Sequence, residues 1–148
     1  MLKLSTRVRY GTRAMQDLAA HYGSGPVLLR DIAKRQEISL KYLDRILVAL
    51  KAAGLVKSHR GSKGGYVLNQ KPVKITVIQI VEALEGPIEL VECVASKNFC
   101  NRVNSCVMHD IWCELGQAMR GVLKTTTLED LLIRGRKKNR TSEGMYYI

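Results

Sequence analysis

Residues 39–54, SLKYLDRILVALKAAG, constrain the fold of this chain more than any other segment. Ser39 is a residue type that caps helix N-termini, and Gly54 suits the left-handed position that follows a helix. Between them lies one apolar face at helical spacing, formed by Leu40, Leu43, Ile46, Leu47 and Leu50. The segment therefore predicts an amphipathic helix with one buried side and one polar side.

Two shorter helical patterns precede this helix. Residues 7–22 place apolar side chains close to a helical stripe and stop at the turn-forming GSGP of residues 23–26. Residues 28–36 place Leu29, Ile32 and Ala33 on one face. Two short helices joined by a tight turn indicate a helix-turn-helix, whose second helix can enter a DNA major groove.

The polar side of the second helix begins with side chains that suit base recognition. Reading base edges requires hydrogen-bonding groups near the N-terminus of the helix. The candidates are Lys41, Tyr42, Asp44 and Arg45. An ordinary helical hairpin with a solvated face explains this segment equally well, so the helices alone do not decide the function.

The next segment, LVKSHRGSKGGYVL, favours DNA binding. It predicts a β-hairpin with arms at residues 55–60 and 66–68 and a glycine-rich turn. His59, Arg60 and Lys63 place positive charge and hydrogen-bond donors at the tip, where an arginine suits a narrow minor groove. The predicted fold class is mainly α with a small β-wing: a winged helix-turn-helix domain at residues 1–72 followed by a long dimerisation helix.

Charge placement agrees with this interpretation. The 148 residues carry a formal net charge of +11, and residues 1–70 contribute +9 of it with thirteen Lys and Arg against four Asp and Glu. Strongly basic modules favour nucleic acid as partner. The chain begins MLKLSTR without the apolar segment of a signal peptide, and apolar runs fall short of the roughly 20 residues of a membrane span. We therefore expect a cytoplasmic location, where thiols stay reduced.

Residues 73–133 predict further helices and a dimer contact. Thr76 and Gln79 fit a capping box, as do Thr127 and Asp130. A long apolar stripe starts near Val107, and little chain remains to cover it. Groove-reading modules usually work as two-fold dimers, which predicts a self-pairing helix; a helix folded back on its own domain is the alternative. Residues 134–148, with the cationic run RGRKKNR, predict a basic tail that is disordered or close to DNA.

All four cysteines lie in CVASKNFCNRVNSCVMHDIWC, residues 93–113. The absence of a C-x-x-C pair disfavours a zinc ribbon and a thioredoxin-type redox centre. Wide spacing between Cys93, Cys100 and Cys106 suits an iron–sulfur cluster, and His109 shares a helix face with Cys106. Spacing alone favours iron–sulfur over zinc and leaves unliganded cysteines as a third possibility.

The motifs together resemble the Rrf2 family, and within it the IscR-type repressors of iron–sulfur cluster assembly. The resemblance covers residues 4–132 and rests on RYGTRAM, DIAKRQEISLKYLDRIL, GLVKSHRGSKGGYVL, the three-cysteine loop and CVMHDIW. It implies that double-stranded promoter DNA is read by Lys41, Tyr42, Asp44 and Arg45, with Arg60 on the wing. It also implies a [2Fe–2S] cluster held by Cys93, Cys100, Cys106 and His109.

Several positions depart from the family pattern. The first cysteine spacing is one residue longer than expected, Asp44 stands where a glutamate is usual, and Cys113 is an additional thiol that could compete with His109. Nitric-oxide-sensing relatives use an aspartate near the N-terminus, where this chain has Arg7, Val8 and Arg9. Relatives that control cysteine metabolism lack the cysteine triad. The last two comparisons disfavour the nitric-oxide-sensing and cysteine-regulating variants.

The sequence thus predicts a homodimeric, non-enzymatic repressor of iron–sulfur assembly genes that senses a [2Fe–2S] cluster and has no membrane partner. One alternative is a regulator of the same family that responds to nitric oxide, redox state or iron. Another is an electron carrier that uses the cluster. The carrier lacks a substrate or flavin motif and leaves the +9 winged-helix half without a purpose.

Overall fold

The computed structural model describes residues 3–144 and has the predicted winged-helix architecture with long C-terminal helices. Within that range no helix is both long and apolar enough to cross a membrane. The elements are α1 (Thr6–Ala20), α2 (Leu29–Gln36), α3 (Leu40–Ala52), β1 (Val56–His59), β2 (Gly65–Leu68), a 3-10 turn (Pro72–Lys74), α4 (Val77–Glu85), the single turn α5 (Glu92–Ala95), α6 (Val107–Thr125) and α7 (Leu128–Gly144).

Helix α3 forms where the sequence predicts it. The Ser39 hydroxyl accepts a hydrogen bond of 3.3 Å from the backbone N–H of Tyr42, and Gly54 follows the helix with φ 76°. Four of its apolar side chains are buried: Leu43, Ile46, Leu47 and Leu50. Leu40 is 51% exposed, because it occupies the first helical position at the edge of the apolar face. The buried face is therefore shorter than the sequence pattern predicts.

One hydrophobic core joins both halves of the chain. It contains Met15 and Leu18 of α1, Ile32 of α2, the apolar face of α3, Ile80 of α4 and Leu128 at the start of α7. Gly11 of α1 allows close packing, because a side chain at this position would collide with Leu84 of α4. The helices after the wing thus complete the core of the DNA-binding half.

A buried carboxylate fastens α2 to α1. Asp17 accepts hydrogen bonds from Arg35 Nε and Nη2 at 2.9 and 2.7 Å and from Gln36 Nε2 at 2.9 Å. Burial raises the pKa of Asp17, but these hydrogen bonds and the nearby positive charges outweigh it, so the pKa lies below its ordinary value. A buried charge is tolerated when it is paired in this way. Asp17 therefore stays ionised and holds the end of α2 in place.

The predicted hairpin is confirmed as an antiparallel pair in which Val56 lies opposite Leu68 and His59 opposite Gly65. Val27, in the loop before α2, adds a bridge to Tyr66 through backbone hydrogen bonds of 2.9 and 2.8 Å. A side chain at Gly65, where φ is 137°, would collide with the Val27 carbonyl. Glycine at this position allows the wing to pair with the rest of the domain.

Both predicted capping boxes in the second half are present. The Gln79 side chain accepts a 2.9 Å hydrogen bond from the Thr76 backbone, and α4 ends at Gly86 with φ 82°. The Asp130 carboxylate accepts from the backbone N–H and hydroxyl of Thr127, each at 2.8 Å, and these bonds lower the pKa of Asp130. The two boxes lie side by side, since Thr76 and Thr127 form an isolated β-bridge. The chain after α6 therefore returns to the first domain.

The C-terminal region differs from the predicted disordered tail. Helix α7 continues to Gly144, so residues 134–144 are helical; residues 145–148 lie outside the described part of the chain. Arg and Lys are good helix formers, so the cationic run can continue the helix. Gly135 also approaches Gln16 of α1, so packing extends beyond the first turn of α7. The tail is thus helical within the described residues, and its proximity to DNA stays a prediction.

Replacing Asp17 should destabilise the fold measurably. Asp17→Ala leaves the donors of Arg35 and Gln36 without their acceptor, but Arg35 keeps contact with solvent. We expect the free energy of unfolding to fall by about 1–3 kcal/mol near neutral pH, measured by urea denaturation.

Asp31→Ala is the matched control. The Asp31 carboxylate approaches Arg30 at 3.9 Å between exposed side chains, so its loss should cost at most about 0.5 kcal/mol. Because the pKa of folded Asp17 is lowered, its stabilisation is complete above the unfolded-state pKa and lost as pH falls through the folded value. The difference between wild type and Asp17→Ala should therefore shrink below about pH 4. A difference that grew on acidification would contradict the ion-pair assignment.

Candidate nucleic-acid interface and cysteine region

The exposed side of α3 presents the predicted base-reading residues. Lys41, Asp44 and Arg45 are exposed, because the opposite side of the same turns carries the buried Leu43 and Ile46. Together they offer cationic donors and a carboxylate acceptor at the N-terminal half of the helix. This combination can bind guanine edges and accept from cytosine in a major groove.

Tyr42 is placed differently from its neighbours. Its ring is half-buried and packs edge-on against Tyr10 of α1, with ring centroids 5.9 Å apart and an interplanar angle of 80°. Tyr10 was not among the predicted site residues, although the quoted motif RYGTRAM contains it. Sequence spacing gives no indication of this contact, because its partners lie on separate helices.

The wing tip carries the other predicted DNA contacts. His59, Arg60 and Lys63 are all exposed around a turn closed by a 3.0 Å hydrogen bond from Gly64 N–H to the Gly61 carbonyl. Gly64 is buried, and a side chain there would collide with the His59 carbonyl. The glycines therefore keep the tip compact, with cationic groups on its surface.

The wing and the recognition helix form one continuous surface. Lys51 Nζ donates a 2.5 Å hydrogen bond to Ser58 Oγ, which joins the end of α3 to β1. Burial, and then the negative charge of Asp44, raise the pKa of Tyr66 on β2. The hydrogen bond from Lys51 fixes the wing against the end of α3, so both elements belong to one rigid surface.

The cysteine region brings some of the predicted ligands together. Cys93 lies in α5, Cys100 in the following turns, Cys106 directly before α6 and His109 in its first turn. All four side chains are half-buried. His109 Nε2 lies 3.2 Å from the Cys93 carbonyl oxygen, which places α5 beside the start of α6. Cys93 and His109 are therefore neighbours although they are sixteen positions apart in the chain.

The additional thiol, Cys113, also lies beside His109. Its Sγ is 3.9 Å from each ring nitrogen. Within residues 3–144, no three His, Cys, Asp or Glu side chains converge as a metal site would require. The structure thus does not gather Cys93, Cys100, Cys106 and His109 around one point.

The donor chemistry nevertheless fits a cluster. Three thiols and an imidazole are suitable ligands for iron, and Cys93, Cys106 and His109 lie near the N-terminal end of α6. The segment between Cys93 and Cys106 is held by local turn hydrogen bonds such as Phe99 N–H to the Ser96 carbonyl, 3.1 Å. Phe99 itself is 62% exposed. Backbone with few packed side chains can rearrange at low cost, which closure around a cluster would require.

Helix α6 leaves a row of large apolar side chains in solvent. The exposed members are Val107, Met108, Ile111, Leu115 and Val122, and Gly116 is the residue of this helix that is buried. The helix does pack on α4 and α5, as the folded-back alternative requires, but this face remains open. An apolar stripe of this kind marks an interaction surface.

Comparisons with known proteins agree with this architecture. Residues 4–134 match the Rrf2 family, described as iron-dependent transcriptional regulators. The Rrf2 protein of Nitratidesulfovibrio vulgaris is 44% identical over 131 residues, which cover 88% of this chain and 87% of that protein.

Two solved structures are similar over most of the chain. CymR, the global cysteine regulator of B. subtilis, is 42% identical with a TM-score of 0.76, covering 88% of this chain and 96% of its own. IscR of T. potens is 39% identical with a TM-score of 0.75, covering 90% and 88%. Two differently named regulators are thus about equally similar, and the similarity does not choose between their signals. The chain belongs to the Rrf2 family of winged-helix DNA-binding transcriptional regulators, which are not enzymes.

Proposed function

We propose that this protein is a cytoplasmic, homodimeric repressor of iron–sulfur assembly genes whose DNA binding depends on an iron–sulfur cluster. The observation that carries the proposal is the proximity of half-buried cysteines and His109 to the N-terminal end of α6. The same helix carries the open apolar face. A ligand bound at this end would therefore act on the helix through which two copies pair.

In the proposed complex each copy of α3 enters a major groove. Lys41, Asp44 and Arg45 face the bases, and Arg60 of the wing enters the adjacent minor groove. Groove-reading modules of this type bind two half-sites related by two-fold symmetry. The exposed apolar face of α6 suits a second copy of the chain, because pairing would remove Met108, Ile111 and Leu115 from water.

In the proposed holo form Cys93, Cys100, Cys106 and His109 ligate one [2Fe–2S] cluster per subunit. The cluster supplies a redox-active, oxygen-sensitive centre whose presence reports iron and sulfide supply. Cys106 and His109 hold their positions through α6, while Cys93 and Cys100 must be brought to them by the segment between. Ligation would therefore order residues 93–106 against the pairing helix, since ligand binding stabilises the conformation that binds.

A second candidate is a regulator of this family that responds to a different signal. The 42% identity to the global cysteine regulator of B. subtilis favours it. The two candidates differ in whether iron and sulfide accompany the protein. Anaerobic purification followed by iron and sulfide quantification, with DNA binding measured before and after cluster removal, therefore tests the proposal directly.

Ligand substitutions should separate the four proposed ligands from Cys113. Cys100→Ala should abolish visible cluster absorbance and leave a folded dimer, because the winged-helix core does not include this residue. His109→Cys should retain a cluster with an altered spectrum and less dependence on pH, since no imidazole has to deprotonate. Absorbance, circular dichroism and size-exclusion chromatography provide the measurements.

Cys113→Ser is the control for the loss of a thiol from the same region. It should change neither the iron content nor the spectrum. A colourless Cys113→Ser protein together with a normal spectrum for His109→Ala would make Cys113 the fourth ligand.

Substitutions in the wing and in α3 should change DNA binding in different ways. Arg60→Ala should weaken binding mainly at sites with a narrow A·T-rich minor groove, where negative potential is strongest. Asp44→Ala should relax discrimination at one or two base positions, because a carboxylate rejects some bases as well as accepting from others. Binding to duplexes with systematically varied positions measures both effects.

Lys124→Ala removes an exposed cation from the end of α6 and serves as the control. It should leave both sequence preference and affinity close to wild type. Equal weakening on every duplex by Arg60→Ala and Asp44→Ala would show that neither has the assigned groove contact.

A charge on the apolar face of α6 should prevent pairing. In Ile111→Glu the new carboxylate would have to be buried without a partner in the dimer, and we expect a folded monomer in sedimentation analysis. Gln117→Glu adds the same charge to an exposed position on another side of the helix and should remain dimeric. An Ile111→Glu protein that sedimented as a dimer would place the interface elsewhere.

A further inference from the structure

We infer that Tyr10 and Arg13 of α1 are positioning residues for DNA recognition, which hold the first turn of α3 in its reading orientation through Tyr42. This inference uses the DNA binding of the family and does not depend on a cluster. It also changes the role of Tyr42 from a base-reading residue to an anchor.

Tyr42 is fixed from two sides. Its backbone N–H donates to the Ser39 hydroxyl at 3.3 Å, and its ring packs edge-to-face on Tyr10 at a centroid distance of 5.9 Å. Both rings are half-buried and pack against the hydrophobic core. Edge-to-face packing is sensitive to direction as well as distance. A rotation of α3 about its axis would therefore break this contact before it exposed the buried leucines.

Arg13 connects Tyr10 to the C-terminal end of α2. Its Cζ lies 5.5 Å from the centroid of the Tyr10 ring, within the range of a cation–π contact. Its Nε donates to Gln36 Oε1 at 3.3 Å, and its Nη2 donates to the Gln36 carbonyl oxygen. Gln36 is the last residue of α2, where helical carbonyls lack partners within the helix. Arg13 thus satisfies the C-terminus of α2 while it contacts Tyr10.

The turn between the two helices lies between these contacts. Glu37 has φ 54° and ψ 48°, a left-handed conformation that is uncommon for a residue other than glycine. Gln36 is also oriented by its side-chain donation to the buried Asp17 at 2.9 Å. Helix α1 therefore contacts Gln36, just before the turn, through Arg13. It contacts Tyr42, in the first turn of α3, through Tyr10. These two contacts determine how α3 leaves α2.

Recognition should be more sensitive to this geometry than bulk affinity is. Base-edge hydrogen bonds from Lys41, Asp44 and Arg45 require well-defined directions, whereas attraction to phosphates depends mainly on charge. Tyr10 is uncharged, so its loss removes no phosphate charge contact. A disturbed first turn of α3 should therefore reduce discrimination between sequences and leave non-specific binding unchanged.

The test uses the full chain and two duplexes. One is selected by the wild-type protein from a random-sequence library, and the other is a scrambled duplex of the same composition. Tyr10→Leu, which keeps apolar bulk but removes the ring, should lower the ratio of the two affinities about tenfold, comparable to one mismatched base pair. Tyr10→Phe keeps the ring and should restore the ratio to within about twofold, with the same slope of affinity against salt.

Two further variants complete the experiment. Tyr10→Leu combined with Tyr42→Leu should lose no more discrimination than either alone, because both remove one contact. Arg13→Lys retains the charge without the fork that reaches Gln36; it should also lower the ratio, and it keeps the test decisive if Tyr10→Leu fails to fold. The inference is overturned if Tyr42→Leu lowers discrimination while Tyr10→Leu does not. Equal weakening on both duplexes by Tyr10→Leu, or an unchanged ratio for Arg13→Lys, would also overturn it.

Discussion

Burial of one side of α3 is the constraint on which the rest of the structure depends. Leu43, Ile46, Leu47 and Leu50 enter the core together, and exposing any of them would cost far more than moving a surface side chain. The helix therefore cannot rotate far, and Lys41, Asp44 and Arg45 on its other side face solvent. Its position also sets that of the wing, because only Leu55 separates Gly54 from β1 and Lys51 donates a hydrogen bond to Ser58. Recognition face and wing are consequences of the same packed core.

Features that depend on neighbouring residues could be predicted from the sequence. The helix cap at Ser39 and the boxes at Thr76–Gln79 and Thr127–Asp130 involve partners three residues apart. The apolar periodicity of α3 and the glycine-rich hairpin are equally local. These features can be predicted because both interacting groups lie within one short segment of the sequence. They were sufficient for the winged-helix class and for the positions of most elements.

Features that depend on distant residues could not be read in this way. Asp17 meets Arg35 across eighteen positions, and Tyr10 meets Tyr42 only after three helices have packed. The end of α7 has a cationic composition that predicts a tail that is disordered or close to DNA, and the described residues are helical to Gly144. For the contacts of Asp17 and Tyr10, tertiary packing, which a local pattern does not encode, decides the outcome. The sequence thus indicated that Lys41, Asp44 and Arg45 lie on the exposed side of α3, but not what orients the helix.

In the cysteine region, spacing identified the types of possible ligand and placed His109 in the first turn of α6. Spacing did not indicate that the Cys113 thiol would lie equally close to both ring nitrogens of His109. Within the described residues these side chains do not converge, so the proposed ligation requires the segment between Cys93 and Cys106 to rearrange. Coupled ligand binding and ordering is common where apolar packing is sparse.

Ordering of the cysteine segment could affect DNA binding only through the helices that connect α6 to α3. Helix α6 packs on α4, and Val77 at the start of α4 donates a 2.9 Å hydrogen bond to the carbonyl of Thr126. Helix α4 in turn packs on α1 at Gly11, one position after Tyr10. Contact alone does not create coupling, because both ends must favour different arrangements of what lies between. A shift of α1 would meet this requirement in the proposed regulator, since α1 contacts Leu84 of α4 at Gly11 and Tyr42 of α3 through Tyr10.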